Sequence, residues 1–148
     1  MGASNRNYEF AQLINRNFKP QPILVVADGK GELAKELNIL GYQVRVIEWK
    51  PRWKKINGIT YQKGWFDRDY NVTENLIVGM HPDEATAEIV LCARKHNINF
   101  AIVPCCVLGK ESKGVHGFNT WISKLEYLAK ESQKTFLKFG GKNLALWG

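Results

Sequence analysis

The stretch Ile23-Leu24-Val25-Val26-Ala27-Asp28-Gly29-Lys30-Gly31-Glu32-Leu33-Ala34 decides the fold of this chain. An apolar run ends at a turn that holds two glycines, and helix-forming residues follow the turn. A second apolar run, 44–47, leads to Glu48, which lies 20 residues after Asp28. Strand, glycine turn, helix, strand and acid in this order are typical of a Rossmann-type nucleotide site.

Each part of this pattern has a physical reason. Gly29 and Gly31 let the backbone turn tightly and come close to a ligand. The helix that begins near Glu32 offers free N–H groups to an anionic group. Glu48 can accept hydrogen bonds from both hydroxyls of a ribose. The pattern therefore predicts a nucleoside-containing cofactor, although the third glycine of the dinucleotide fingerprint is absent. The alternative is a βαβ unit whose glycines only make the connection.

Length and composition favour one globular domain over residues 1–148, with 1–22 as an N-terminal helix and lead-in. No apolar stretch approaches the ~20 residues of a membrane helix, and the start lacks the apolar core of a signal peptide. The three cysteines, Cys92, Cys105 and Cys106, lack metal-ligand spacing, so we expect no metal site. Their odd number fits free thiols in a reducing compartment, which predicts a cytoplasmic protein.

The formal net charge of +7 favours polyanionic partners, and nucleic acid first among them. The basic residues cluster after Glu48, where two tryptophans, Trp49 and Trp53, alternate with cations. Cations beside exposed aromatic rings suit phosphates and stacked bases. The cluster therefore predicts an RNA-binding loop made by Lys50, Arg52, Lys54 and Lys55. Alternatively, the tryptophans pack under the sheet edge and the cations are merely solvated.

Hydrophobic periodicity divides the rest of the chain into strands and helices. The pattern predicts helices at 8–17, 32–40, 82–96 and 118–131, strands at 23–27, 43–49, 59–62, 75–80 and 99–103, and a closing hairpin at 135–139 and 144–147. Alternation of strands with helices gives a parallel sheet, and a terminal hairpin adds an antiparallel pair at one edge. The fold class is therefore α/β and Rossmann-like, with a mostly parallel seven-stranded sheet that ends in an antiparallel hairpin.

From about residue 23 to 147 the chain resembles class I S-adenosylmethionine-dependent methyltransferases. Gly29-Lys30-Gly31-Glu32-Leu33 is similar to the first motif of that family. Glu48 resembles its ribose-binding acid, and Asp67 resembles the acid that meets the adenine amino group. The turns Val78-Gly79-Met80-His81-Pro82-Asp83 and Val103-Pro104-Cys105-Cys106 are similar to a branch that includes Trm13-type transfer-RNA methyltransferases and small methyltransferase-like proteins.

The resemblance implies S-adenosylmethionine as cofactor. It places one set of residues around this cofactor: Asp28, Gly29, Gly31, Glu48, Trp49, Asp67 and His81. One departure concerns the glycine turn, where the leading acid of the family falls on Val25 and its first glycine on Ala27. With a one-residue deletion, Asp28 serves as that acid instead.

Methyl transfer needs an acceptor held in line with the donor, and positioning supplies much of the acceleration. His81 and Asp83 follow the fourth strand, where an acceptor would lie, and we predict a catalytic role for both, with His81 able to take a proton. The alternatives are that His81 bonds a backbone carbonyl and that Asp83 caps a helix. Cys105 and His116 are predicted on the substrate side, with Cys105 shaping the pocket rather than attacking.

These observations predict a methyltransferase that acts on RNA, with transfer RNA as one possible substrate. Two alternatives stay open at this point. The chain could be a binding module that has lost methyl transfer or needs a partner protein, and it could act on a small molecule. A protein partner or a homo-oligomer is compatible with each of them, and no membrane partner is expected.

Overall fold

The computed structural model describes residues 5–148, so the first four residues of the predicted lead-in lie outside it. Seven strands form one sheet in the order β3-β2-β1-β4-β5-β7-β6. The strands are β1 Ile23–Val26, β2 Val44–Glu48, β3 Ile59–Lys63, β4 Leu76–Met80, β5 Asn99–Val103, β6 Gln133–Phe136 and β7 Leu144–Trp147. The helices are α1 Arg6–Asn17, α2 Glu32–Ile39, α3 Thr86–His96 and α4 Phe118–Ala129.

The sheet confirms the predicted architecture. Strands β1 to β5 pair in parallel, and β7 pairs antiparallel with both β5 and β6. The order reverses between β1 and β4, so the chain leaves the centre of the sheet in both directions from this point. In open α/β sheets, ligands bind outside the carboxyl ends of the strands at such a reversal.

Helices cover both faces of the sheet, and each face has its own core. The side chains of β1 alternate, with Ile23 and Val25 facing α1 and α2, and Leu24 and Val26 facing α3 and α4. All four are buried, as expected of a strand covered on both sides. None of the helices in residues 5–148 combines the length and the hydropathy needed to span a bilayer.

Two of the connections between parallel strands contain no helix, in keeping with the predicted elements. Among the described residues, no helix joins β2 to β3 or β3 to β4, and two loops, 49–58 and 64–75, do so instead. Neither loop has a periodic apolar face, and Pro51 lies in the first. Their apolar side chains nevertheless cover the sheet: Trp53 and Ile56 pack on the core beside α2, and Tyr70 and Val72 pack on the core beside α3.

Smaller differences concern the ends of elements. The helix predicted from residue 82 begins with one 3₁₀ turn, Asp83–Ala85, before α3. Helix α4 ends at Ala129 instead of 131 because Lys130 adopts a left-handed backbone with φ of 66°. Strand β6 therefore starts at Gln133, two residues earlier than predicted, and it ends at Phe136.

A bidentate ion pair links the loop 64–75 to the sheet. Nε and Nη2 of Arg45, on β2, donate to the two carboxylate oxygens of Glu74, each at 2.8 Å. Glu74 is only 8% exposed, so its charge depends on this partner. The pair fixes the start of β4, the strand that leads into the site described below.

Replacing Glu74 by alanine is expected to lower the free energy of unfolding by about 3 kcal/mol, because a partly buried guanidinium loses its counter-charge. Asp69→Ala is the matched control. Its carboxylate pairs with Lys95 in solvent, with side chains 70% and 55% exposed, and its loss should not be measurable. Urea unfolding of the three proteins tests this, and equal midpoints for the two variants would contradict it.

Candidate cofactor and substrate site

A large open cavity lies at the carboxyl ends of β1, β2, β3 and β4, with a volume of about 1210 Å³. This is large enough for a nucleoside-sized ligand. The turn after each strand supplies part of the wall, and the first residues of α1 close one end. The lining comprises Arg6, Asn7, 26–30, Glu32, 47–52, 63–66 and 80–85.

The turn after β1 brings the backbone directly to the cavity. Gly29 and Gly31 have φ of 56° and 84°, which glycine adopts without strain. A side chain on Gly29 would come within 2.8 Å of the Arg52 guanidinium, which lies across the turn. The N–H of Arg52 also donates to the carbonyl of Gly29 at 3.0 Å. The loop 49–58 is thus folded onto the glycine turn, and a side chain at position 29 would displace the Arg52 guanidinium and strain the backbone.

Glu48 connects the two strands that frame the turn. Its Oε1 accepts the N–H of Gly29 at 3.0 Å, and its Oε2 accepts the N–H of Lys50 at 3.0 Å. Each carboxylate oxygen can accept a second hydrogen bond. Glu48 therefore braces the turn and keeps accepting capacity toward the cavity, as a residue that holds a diol would require.

Asp28 caps helix α2 from inside the site. Its two carboxylate oxygens accept the N–H groups of Leu33 at 3.1 Å and of Ala34 at 2.9 Å. Burial raises the pKa of Asp28 from 3.8 to about 7, although these two hydrogen bonds act in the opposite direction. Asp28 thus occupies two of the free N–H groups at this helix end, which leaves fewer donors there for a phosphate.

Strained backbone is concentrated at the cavity. Of the five non-glycine residues with positive φ in residues 5–148, three line it: Ala27 at 59°, His81 at 46° and Asp83 at 53°. Such conformations cost about 1–3 kcal/mol each and occur mostly where surrounding structure enforces them. The turns after β1 and β4, the two strands at which the sheet order reverses, therefore both carry strain.

Both ring nitrogens of His81 are engaged. Nε2 lies 2.8 Å from the carbonyl oxygen of Lys142, so it carries the proton and donates. Nδ1 then has a free lone pair and accepts from Nη1 of Arg6 at 3.3 Å. Desolvation and the charge of Arg6 lower the pKa of His81, so the ring is neutral at pH 7. Taking a proton from a substrate would require the contact with Arg6 to open.

Asp83 is the first residue of the 3₁₀ turn and lies on the cavity wall. Its backbone carbonyl accepts the hydroxyl of Thr86 at 2.8 Å, and its side chain makes no capping hydrogen bond. Desolvation raises the pKa of the Asp83 carboxyl, and neighbouring Glu84 adds to this effect. The carboxyl is thus available to a ligand, and its predicted catalytic role stays a prediction.

The two tryptophans of the basic loop have different environments. Trp49 is half exposed and meets Trp65 edge to face, with ring centroids 5.8 Å apart at the cavity wall. Trp53 packs on Tyr61 at 5.0 Å, against the core. The basic residues divide in the same way, since Lys50 and Arg52 line the cavity and Lys54 and Lys55 do not. Trp53 therefore packs against the core, whereas Trp49 stays exposed at the cavity, and RNA binding by Lys50, Arg52, Lys54 and Lys55 stays a prediction.

Several predicted site residues lie outside the lining. Gly31 forms the left-handed N-terminus of α2, and Asp67 accepts the N–H of Asp69 at 2.9 Å, closing a local turn. The Sγ of Cys105 lies 3.5 Å from that of Cys106, and burial raises the pKa of the Cys105 thiol to about 11, consistent with a packing role. His116 is exposed in the loop before α4.

The structure also adds residues that the sequence patterns did not single out: Arg6, Asn7, Lys63, Trp65, Phe66 and Glu84 all line the cavity. Trp65 and Phe66 follow a strand end, which is a usable signal. Arg6 and Asn7 reach the site only through the packing of α1 beside α2, which no local motif reveals. Within residues 5–148, no three His, Cys, Asp or Glu side chains are grouped to hold a metal ion.

The pKa of Asp28 gives a pH dependence of stability. Since the folded state holds this proton more tightly than the unfolded chain, its contribution is complete below pH 4 and is lost as the pH rises toward 7. Asp28→Asn cannot titrate, so its free energy of unfolding relative to the native protein should increase with pH between 4 and 7. Denaturant unfolding at several pH values measures this slope.

Asp28→Asn also removes the oxygen that accepts the N–H of Ala34. That loss shifts the free energy of unfolding by the same amount at every pH, so only the titration of Asp28 contributes to the slope. Asp69→Asn is the control. Lys95 holds the pKa of Asp69 below its ordinary value, so both folded and unfolded states are ionised above about pH 5 and this variant should show no rise between about pH 5 and 7. A flat profile for Asp28→Asn would show that Asp28 is ionised in the folded protein.

Ala27→Gly should raise the free energy of unfolding by about 1 kcal/mol, because glycine relieves the left-handed backbone at this position. The same change at Ala87, inside helix α3, should lower it by at least about 1 kcal/mol. Thermal and denaturant unfolding give both values. Destabilisation at both positions would mean that the contacts of the Ala27 methyl group contribute more to the free energy of unfolding than the relief of backbone strain.

No protein-family profile matches the chain. A curated relative from Caenorhabditis elegans, described as "Probable tRNA (uracil-O(2)-)-methyltransferase", is 29% identical over 112 residues. The match covers 64% of this chain and 19% of the relative. The chain thus spans about a fifth of that protein.

Solved structures resemble the chain over nearly its full length. Ribosomal protein L11 methylase from Lactobacillus delbrueckii subsp. bulgaricus gives a TM-score of 0.67 at 18% identity, covering 98% of this chain and 78% of that one. Glycopeptide N-methyltransferase MtfA gives 0.66 at 13%, covering 98% and 90%. Human N-acetylserotonin methyltransferase, solved in complex with S-adenosylmethionine, gives 0.62 at 16%, covering 97% and 51%. The chain has the Rossmann-like fold of the class I S-adenosylmethionine-dependent methyltransferases.

Proposed function

We propose that this protein is an S-adenosylmethionine-dependent methyltransferase that acts on RNA, with transfer RNA the first candidate. The observation that carries the proposal is the joint placement of Gly29 and Glu48 at one cavity, on a sheet shared with methyltransferases. The human neighbour was solved with the same cofactor, and the curated relative is named for methylation of transfer RNA.

The charges of the cavity suit this cofactor. S-adenosylmethionine supplies a methyl group on a positively charged sulfur when it is bound. Five acidic residues of the described chain line the cavity, and the four other than Asp28 are Glu32, Glu48, Asp83 and Glu84. Negative groups favour a cationic ligand, and the capped end of α2 disfavours a phosphate there.

The exposed lining supports RNA as the acceptor. Lys30, Lys50, Arg52 and Lys63 lie at the cavity and are exposed. None of these four has a carboxylate within 4.0 Å among residues 5–148. Unpaired cations beside the exposed ring of Trp49 suit a phosphate backbone with a stacked base. Methylation would take place where such a strand enters the cavity, beside His81 and Asp83.

One observation favours a second candidate, a binding module without methyl transfer. Both nitrogens of His81 are engaged within the protein, so the predicted base has no free site. A general base contributes typically 10²–10⁴-fold to such a step. Cofactor binding without transfer to any RNA would favour this alternative.

Glu48→Gln should weaken binding of S-adenosylhomocysteine by about 10–100-fold, because a charged acceptor for the ribose hydroxyls is lost. Glu36→Gln, on α2 and outside the cavity lining, should leave affinity unchanged. Isothermal titration measures both, with melting curves to confirm folding. Native binding in the micromolar range that survives Glu48→Gln would exclude the assigned pocket.

The acceptor class is tested with tritiated S-adenosylmethionine and total RNA, before and after nuclease digestion. Label that stays with intact RNA and declines between 50 and 200 mM salt would support the proposal. Label found only in a small-molecule fraction, with no dependence on salt, would replace RNA by a small acceptor. No cofactor binding at millimolar concentration would overturn the proposal altogether.

A further inference from the structure

Arg6 is the one guanidinium in the half-buried part of the cavity wall within residues 5–148. It is the first residue of α1, and it closes the end of the cavity beside β4. Its side chain contacts Nδ1 of His81. Its position, its surroundings and its unused donors indicate a further role.

The contact with His81 aims Arg6 into the site. The carbonyl oxygen of Lys142 fixes the proton on Nε2 of His81, which leaves Nδ1 as the acceptor for Nη1 of Arg6 at 3.3 Å. A neutral imidazole orients the guanidinium without neutralising its charge. Two segments remote in sequence, α1 and the turn between β6 and β7, therefore cooperate to place one cation at the end of β4.

The charge of Arg6 is not compensated. Among residues 5–148, no carboxylate lies within 4.0 Å of it, and its side chain makes no hydrogen bond other than that with His81. A guanidinium carries five N–H donors in a planar fork. A half-buried cation with unused donors is costly unless a ligand supplies the counter-charge. The chemistry that matches the fork is a planar or tetrahedral oxyanion, such as a carboxylate or phosphate.

Two sources could supply this oxyanion, namely a phosphate of the nucleic-acid substrate and the carboxylate of the cofactor. The neighbourhood favours the phosphate. Exposed Lys30, Lys50, Arg52 and Lys63 surround the same cavity, as a phosphate backbone that enters it would require. The cofactor carboxylate has an alternative cation in Arg52, which already lies across Gly29.

We infer that Arg6 binds a backbone phosphate of the RNA substrate next to the nucleotide to be methylated, held in place by His81. The inference rests on the proposed function and names a residue for its substrate. His81 is then a positioning residue for Arg6, which explains why both of its nitrogens are engaged.

The test compares Arg6→Gln with Arg16→Gln, which removes the same charge from the exposed, opposite end of the same helix. Binding of a fluorescent unmodified transfer-RNA transcript is measured by anisotropy between 50 and 200 mM salt. Arg6→Gln should weaken binding about tenfold at low salt and reduce the salt slope by about one contact. Arg16→Gln should change neither by more than about twofold, and Arg6→Lys should restore the slope but not the full affinity.

Isothermal titration with S-adenosylhomocysteine separates the two sources of the oxyanion. Unchanged cofactor affinity in Arg6→Gln, together with the loss of RNA affinity, supports the phosphate. Equal RNA affinity in Arg6→Gln and Arg16→Gln overturns the inference, and so does a loss confined to S-adenosylhomocysteine. Failure of the native protein to bind the transcript would instead overturn RNA as the substrate. Melting curves of each variant confirm that α1 stays folded.

Discussion

The hydrogen bond from the Gly29 amide to the Glu48 carboxylate is the contact on which the site depends. Parallel pairing brings the ends of β1 and β2 side by side, with Val26 opposite Ile47. The bond then ties the turn after one strand to the last residue of the other. With the turn fixed, Asp28 reaches the first amides of α2, so the start of that helix is set by the same contact. The positions of helix α2, of the loop 49–58 and of the cavity wall therefore all depend on this hydrogen bond.

The parts that sequence could predict are those in which local pattern and long-range structure agree. The buried runs of β1 and β4, the glycine turn and Glu48 are each determined within a few residues, and the fold follows from their order. The contribution of Arg6 could not be predicted, because it depends on how α1 packs beside α2 and on a carbonyl 136 residues away, that of Lys142. Asp67 lies outside the lining, where its carboxylate accepts the N–H of Asp69 in its own turn, and its predicted contact with the adenine stays a prediction.

Two acids and four cations of the lining are held in different ways. The half-buried acids Asp28 and Glu48 are held by backbone amides, whereas the exposed cations of the lining have no protein partner. Amide groups satisfy a carboxylate without cancelling its field, and solvent lowers the cost of a lone ammonium group. One cavity can therefore present negative charge to a small ligand and positive charge to a large one.

The two helix-free connections have a consequence for the motions of the protein. Strand β3 is one of the two edges of the sheet, and the segments on either side of it, 49–58 and 64–75, pack through a few side chains instead of whole helices. Fewer buried contacts imply a lower free energy of local opening, so amide exchange should be fastest at this edge. The same segments form one wall of the cavity. A bound ligand would therefore slow exchange there first, and part of its binding energy would be spent on ordering that wall.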